Sequence, residues 1–136
     1  MKIVIDTNVL MAGLIKDSIV RIVLLSKNIN FFIPEYSLSE IKKYEEALLE
    51  KSGYDKDELK DLINYLLENV KIIQKSRISD YIKEAEKIMK NIDIKDSSFI
   101  ATAIAISADG IWSYDEDFNK QKEIKVFTIR ELIDNL

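Results

Sequence analysis

One stretch of this chain constrains its fold more than any other. Over residues 99–108 the side chains Phe99, Ile100, Ala101, Ala103, Ile104, Ala105, Ile106 and Ala108 leave only Thr102 and Ser107 as polar positions. A helix with no polar face has no side to turn to water, so it must be enclosed between other elements. The fold therefore has to supply structure on more than one side of this segment.

Short apolar runs alternate with helical patterns along the rest of the chain. Residues 2–5 form a β-branched run that ends at Asp6, Thr7 and Asn8, residues that favour turns and caps. Residues 9–26 read as helical with a break near Asp17 and Ser18, where Ser18 is placed to cap a second helix. A strand is predicted at 31–33, closed by Pro34. From Ser37, the residues Leu38, Ile41, Leu48 and Leu49 share a helical face until Gly53; Leu59, Leu62, Ile63, Leu66 and Leu67 then repeat at i, i+3, i+4, i+7 and i+8. Strands at 71–73, 110–113 and 125–127, a helix at 81–90 and a last helix capped by Thr128 with Glu131 complete the pattern. Strands separated by helices predict an α/β fold, a parallel sheet with helices on both faces. With 136 residues and no repeat or linker, the expectation is one domain spanning 1–136.

Two residue types are missing altogether, and their absence removes whole chemistries. Without Cys there is no disulfide, thiol nucleophile or thiolate zinc site, and without His neither a Ser-His-Asp triad nor a zincin site can form. Catalysis must rest on carboxylates, hydroxyls, Lys, Tyr, Arg or a bound ion. The longest apolar runs, 9–15 and 19–25, fall short of the ~20 residues that cross a bilayer, and no signal-like start precedes them. A soluble, cytoplasmic protein with no membrane partner is expected.

Acids recur where such a sheet places its sites. Right-handed crossovers put strand C-termini along one edge. Asp6 ends the first strand, Glu40 follows the second, and Asp115 and Asp117 follow the fourth. Asp96 opens the enclosed helix, whose dipole favours a negative charge there. Carboxylates gathered without counterions repel one another, and a divalent cation removes the conflict. All-oxygen ligands favour Mg²⁺ or Mn²⁺ over Zn²⁺ or Cu²⁺.

Each acid also has a plainer reading. Asp6 and Asp96 can cap helices, Asp93 can stand in for Asp96, and Asp117 can replace or join Asp115. Ser37-Leu38-Ser39-Glu40 is a complete capping box, in which Glu40 folds back on the Ser37 amide. Thr7 reads as a local backbone partner. Lys83, Lys87 and Lys90 lie at i, i+4 and i+7, either as a phosphate grip or as a solvated face.

Four motifs in order, Ile3-Val4-Ile5-Asp6-Thr7-Asn8-Val9-Leu10, Ser39-Glu40-Ile41, Asp96-Ser97-Ser98-Phe99-Ile100-Ala101-Thr102-Ala103 and Ile111-Trp112-Ser113-Tyr114-Asp115-Glu116-Asp117-Phe118, span nearly the whole chain. Together they resemble the PIN-domain nucleases, among them the toxin subunits of VapBC-type systems. The resemblance implies a three-layer α/β/α fold with a central parallel sheet, and a Mg²⁺- or Mn²⁺-dependent endoribonuclease. In that reading Asp6, Glu40, Asp96 and Asp115 are the catalytic, metal-holding acids, Asp117 is a further ligand, and Asn8 and Ser113 orient carboxylates and waters. RNA is the implied substrate, an antitoxin protein and a homodimer the implied partners. Tyr114 departs from the family pattern, which often has Gly or another small residue immediately before the later Asp. Two other functions compete. One is a catalytically silent PIN-fold interaction module. The other is an aspartyl-phosphate phosphotransferase, against which stands Asn8 where such enzymes carry a second Asp.

Overall fold

The computed structural model describes residues 1–90 and 96–136. Its centre is β1 (Lys2–Ile5), whose Ile3, Val4 and Ile5 are fully buried. Around it lie β2 (Asn30–Pro34), β3 (Val70–Ile73), β4 (Gly110–Trp112) and β5 (Val126–Phe127) in the order β3-β2-β1-β4-β5, all pairs parallel. Parallel neighbours require crossovers that cover the sheet, which is why these strands read as nearly continuous apolar runs.

Helices α1 (Thr7–Ile15), α2 (Ile19–Leu24), α3 (Glu35–Lys43), α4 (Glu45–Ser52), α5 (Lys56–Leu67), α6 (Lys75–Ile78), α7 (Ile82–Ile88) and α8 (Ser97–Ala105) lie in the connections from β1 to β4; a 3₁₀ turn lies between β4 and β5, and α9 (Ile129–Ile133) follows β5. Side chains alternate across the strands with a period of two. Ile3, Ile5, Phe31, Ile33 and Trp112 pack into one core with Leu14, Leu24, Leu48 and Leu66 of α1, α2, α4 and α5. Val4, Phe32 and Ile111 face a second core with Ile78, Ala85, Phe99 and Ile100 of α6, α7 and α8. These two cores make the expected three layers. As its composition requires, α8 lies between α6 and α7 on one side and β1, β2 and β4 on the other.

Three local expectations change. The apolar run outlasts its helix: α8 ends at Ala105, because Ser107 turns left-handed (φ 52°) and the Ala108 N–H closes onto the Ala103 carbonyl at 2.9 Å. The long helix from Ser37 is two helices that meet at Tyr44. The capping box at Ser37 does not form, since Pro34, not Ser37, stands at the helix entrance and Ser37 is buried inside α3. At Gly110 a Cβ would come within 2.5 Å of the Lys125 carbonyl oxygen, so β5 can pair this closely only with a glycine.

The chain builds outward from β1 to β2 and β3, then returns to place β4 and β5 on the other side. Connections from β1 and β4 therefore leave in opposite directions, and a crevice opens between their carboxyl ends.

Candidate metal centre

Asp6 sits in that crevice. Its backbone N–H extends the β1–β4 pairing by donating to the Trp112 carbonyl at 3.0 Å, which fixes where the side chain starts. The carboxyl is 4% exposed, and it stands at the entrance of α1 without a side-chain capping bond. From the end of β4, Ser113 Oγ donates to Asp6 Oδ2 at 2.8 Å and accepts the Asp115 N–H at 2.9 Å. Asp115 Oδ1 in turn accepts the Asp117 N–H at 2.9 Å as the chain enters a 3₁₀ turn, Glu116–Lys120. Lys120 Nζ lies 2.9 Å from Asp117 Oδ1. One hydrogen-bond chain thus runs from the sheet to the loop.

Burial pushes the Asp6 carboxyl above its ordinary value. The Ser113 hydroxyl and the Asn8 backbone N–H oppose that rise, while the nearby charges of Asp115 and Glu40 add to it.

Glu40 reaches the site from α3. Ser37, Glu40 and Ile41 share a helical face, and the Thr7 hydroxyl donates to Glu40 Oε1 at 2.6 Å while lying 2.9 Å from Ser37 Oγ. Thr7 has one proton and a carboxylate only accepts, so the Thr7 proton goes to Glu40 and Ser37 donates to Thr7. Glu40 is held by this contact across 33 residues, not by its own helix. Thr7, which the sequence reading set aside as a local backbone partner, positions the acid instead.

Asp96 occupies the N-cap position of α8 but makes no side-chain capping bond. One carboxylate oxygen from each of Asp96, Asp115 and Asp117 lies within 4.8 Å of the other two. Oxygens on opposite sides of an octahedral Mg²⁺ are about 4.2 Å apart, so small side-chain adjustments bring this trio into coordination range. The donor set is all hard oxygen in a chain without His or Cys, and it fits Mg²⁺ or Mn²⁺. Asp6 and Glu40 are not part of that three-oxygen group; they stand beside it, close enough for Asp6 to feel the charges of Asp115 and Glu40. Asp93 falls outside the described residues.

Glu40, Asp96, Asp115 and Asn8 line one cavity of about 750 Å³, which also takes in Lys43 and Lys51. The two lysines were not singled out in the sequence, although Lys43 lies one helical turn after Glu40. Lys83, Lys87 and Lys90 are exposed and do not line this cavity. Tyr114 packs edge-on against Trp112 at 6.5 Å and does not line it either. Burial raises the Tyr114 phenol above its usual value.

A family model described as PIN domain matches residues 4–132. No curated protein sequence matches the chain. Among solved structures, the crystal structure of VapBC2 from Rickettsia felis bound to a DNA fragment from their promoter contains a similar chain. The likeness covers 94% of this chain and 98% of that one at 20% identity with a TM-score of 0.68, a shared fold. No helix among the described residues is long and apolar enough to cross a membrane.

Proposed function

This chain belongs to the PIN-domain family, and from that membership we propose that it is a Mg²⁺- or Mn²⁺-dependent endoribonuclease that hydrolyses RNA phosphodiester bonds. The observation that carries the reading is the convergence of Asp96, Asp115 and Asp117 at the mouth of the crevice that holds Asp6.

The acids Asp6, Glu40, Asp96 and Asp115, with Asp117 at the rim, would hold the cation. Bound there, the ion supplies a lowered water pKa and charge neutralisation at the phosphate. The chain's own residues do the positioning. The Ser113 hydroxyl fixes the Asp6 carboxylate, Thr7 fixes that of Glu40, and α8 presents Asp96 at its entrance. No protein nucleophile is needed, which suits a chain without His and Cys.

The fold shared with a chain of VapBC2 supports a biological setting as well: the toxin of a toxin–antitoxin pair, with an antitoxin protein as partner and a homodimer as its assembly. In the competing reading, a silent PIN-fold module, neither ion would bind.

The test is cleavage of single-stranded RNA by nuclease-free protein with Mg²⁺ or Mn²⁺, repeated with EDTA, alongside a Mn²⁺-soaked crystal located by anomalous scattering. Cleavage that needs the ion, and a peak between Asp96 and Asp115, are expected. Undiminished cleavage in EDTA, or no melting-temperature response to either ion, would overturn the proposal.

A further inference from the structure

We infer that Lys43 and Lys51 hold the RNA backbone on one side only of the bond to be cut. The inference rests on the ribonuclease reading and adds the path of the strand across it.

The residues of α3 and α4 that line the acid cavity include Tyr36, Ser39, Glu40, Lys43, Ala47 and Lys51. Because all of them line the same cavity, they form one stripe that continues across the break at Tyr44 from α3 into α4. Glu40 belongs to the acid end of this stripe. Lys43 is about one turn beyond it in α3, and Lys51 lies in the last turn of α4. The facing wall, from α1, offers Met11, Ala12 and Ile15 and no charge.

A polyanion entering this cavity meets Glu40, Asp96 and Asp115 at one end, where a hard cation offsets their charge. That compensation is local. Phosphates further along the stripe meet Lys43 and Lys51, the two cations that line the cavity among the described residues. Both side chains are exposed, and among the described residues neither is in a salt bridge. Lys43 Nζ rests 5.4 Å from the centre of the Tyr44 ring, which steadies the ammonium without neutralising it.

Among the described residues, the other directions bring no free cation into this cavity. Lys120, on the Asp115–Asp117 side, is taken up by Asp117. The adjoining cavity of about 790 Å³ beyond Tyr36 carries Lys75, but its lining includes none of Glu40, Asp96, Asp115 and Asp117, so that lysine serves a different hollow. Among the described residues, the cations that line the acid cavity all lie on the α3–α4 stripe, so the strand is gripped along it and leaves the cut free on its other side.

The experiment uses a single-stranded RNA with a mapped cleavage position, shortened stepwise from the 5′ end or from the 3′ end. KM and kcat are measured for the native protein, for Lys43→Ala/Lys51→Ala, and for Lys83→Ala/Lys87→Ala/Lys90→Ala, which removes more charge elsewhere. For the native protein, shortening one arm should raise KM several-fold while shortening the other leaves it unchanged. The Lys43/Lys51 variant should show the raised KM on the full-length RNA, with the loss falling on KM, and no further penalty for the shortened arm. Its log–log dependence of 1/KM on salt should flatten by about 1.4, two single-strand phosphate contacts at roughly 0.7 each. The α7 variant should match the native protein in all three respects. Equal sensitivity to both arms, an unchanged salt slope in the Lys43/Lys51 variant, or the same losses in the α7 variant would overturn the one-sided grip while leaving the ribonuclease standing. Absence of cleavage by the native protein would remove both.

Discussion

Asp6 and the trio of Asp96, Asp115 and Asp117 face one crevice, yet the protein treats them in opposite ways. Asp6 is buried at a strand end, held by Ser113, and carries a raised pKa because burial outweighs that hydrogen bond. The trio is half-buried and sits on a helix entrance and a 3₁₀ turn, where one member is already paired with Lys120. The sheet thus supplies a fixed anion at a desolvation cost, and the periphery supplies anions that can adjust. On the proposed reading, in which the centre would admit both an ion and a polyanion, the inner acid would set position and the outer ones would adjust to what binds.

The largest expected effect breaks the inner half. Asp6→Asn should lower metal-dependent RNA cleavage by at least about 100-fold and leave the fold intact. In EDTA the same variant should remove a pH dependence. Because the folded carboxyl titrates above 3.8, the ordinary value, the native state binds more protons than the unfolded state over the interval between the two, and stability falls as pH rises through it. Melting curves against pH should show that fall in the native protein and a flatter profile in Asp6→Asn; identical profiles would mean that Asp6 is not an electrostatic burden.

The outer trio should divide unequally. Asp115→Asn removes the carboxylate that belongs to both the hydrogen-bond chain and the three-oxygen group, and Mn²⁺ binding by calorimetry should weaken by about 10- to 100-fold. Asp117→Asn removes a charge that Lys120 already offsets, so its loss should be several times smaller. Equal losses would show that the lysine lets go when the ion binds.

Thr7→Val keeps the shape of the buried side chain and deletes the hydroxyl that holds Glu40. A drop in kcat of about 10-fold is expected, with a stability loss of about 1–3 kcal/mol because the buried Ser37 hydroxyl loses its partner. Unchanged kcat would return Glu40 to the role of an ordinary surface acid.

The smallest effect lies away from the site. Ser107→Gly relieves a left-handed residue at the end of α8 and should stabilise the fold by about 1 kcal/mol. Asp96 stands at the opposite end of α8, so cleavage should not change.

The strands, the enclosed helix and the Thr128–Glu131 capping box were legible because each depends on neighbours within a few residues: apolar alternation, the absence of a polar face, a capping hydroxyl three residues from a glutamate. The types of the site acids were legible for the same reason, as side chains at the ends of elements. The capping box at Ser37, the plainer reading of Glu40, does not form: the local motif is complete, but α3 begins at Glu35 and Ser37 lies inside it, buried against Thr7.

From the residues alone came an alternating α/β chain with a helix that had to be enclosed, and a chemistry confined to oxygen ligands. Which acids meet was decided by the tertiary structure. The bond between Ser113 and Asp6 joins residues 107 positions apart, and the one between Thr7 and Glu40 spans 33. Such pairs exist only because β1 chose β4 as its parallel neighbour and α3 packed against α1, and pairings of that range carry no local signature in the chain.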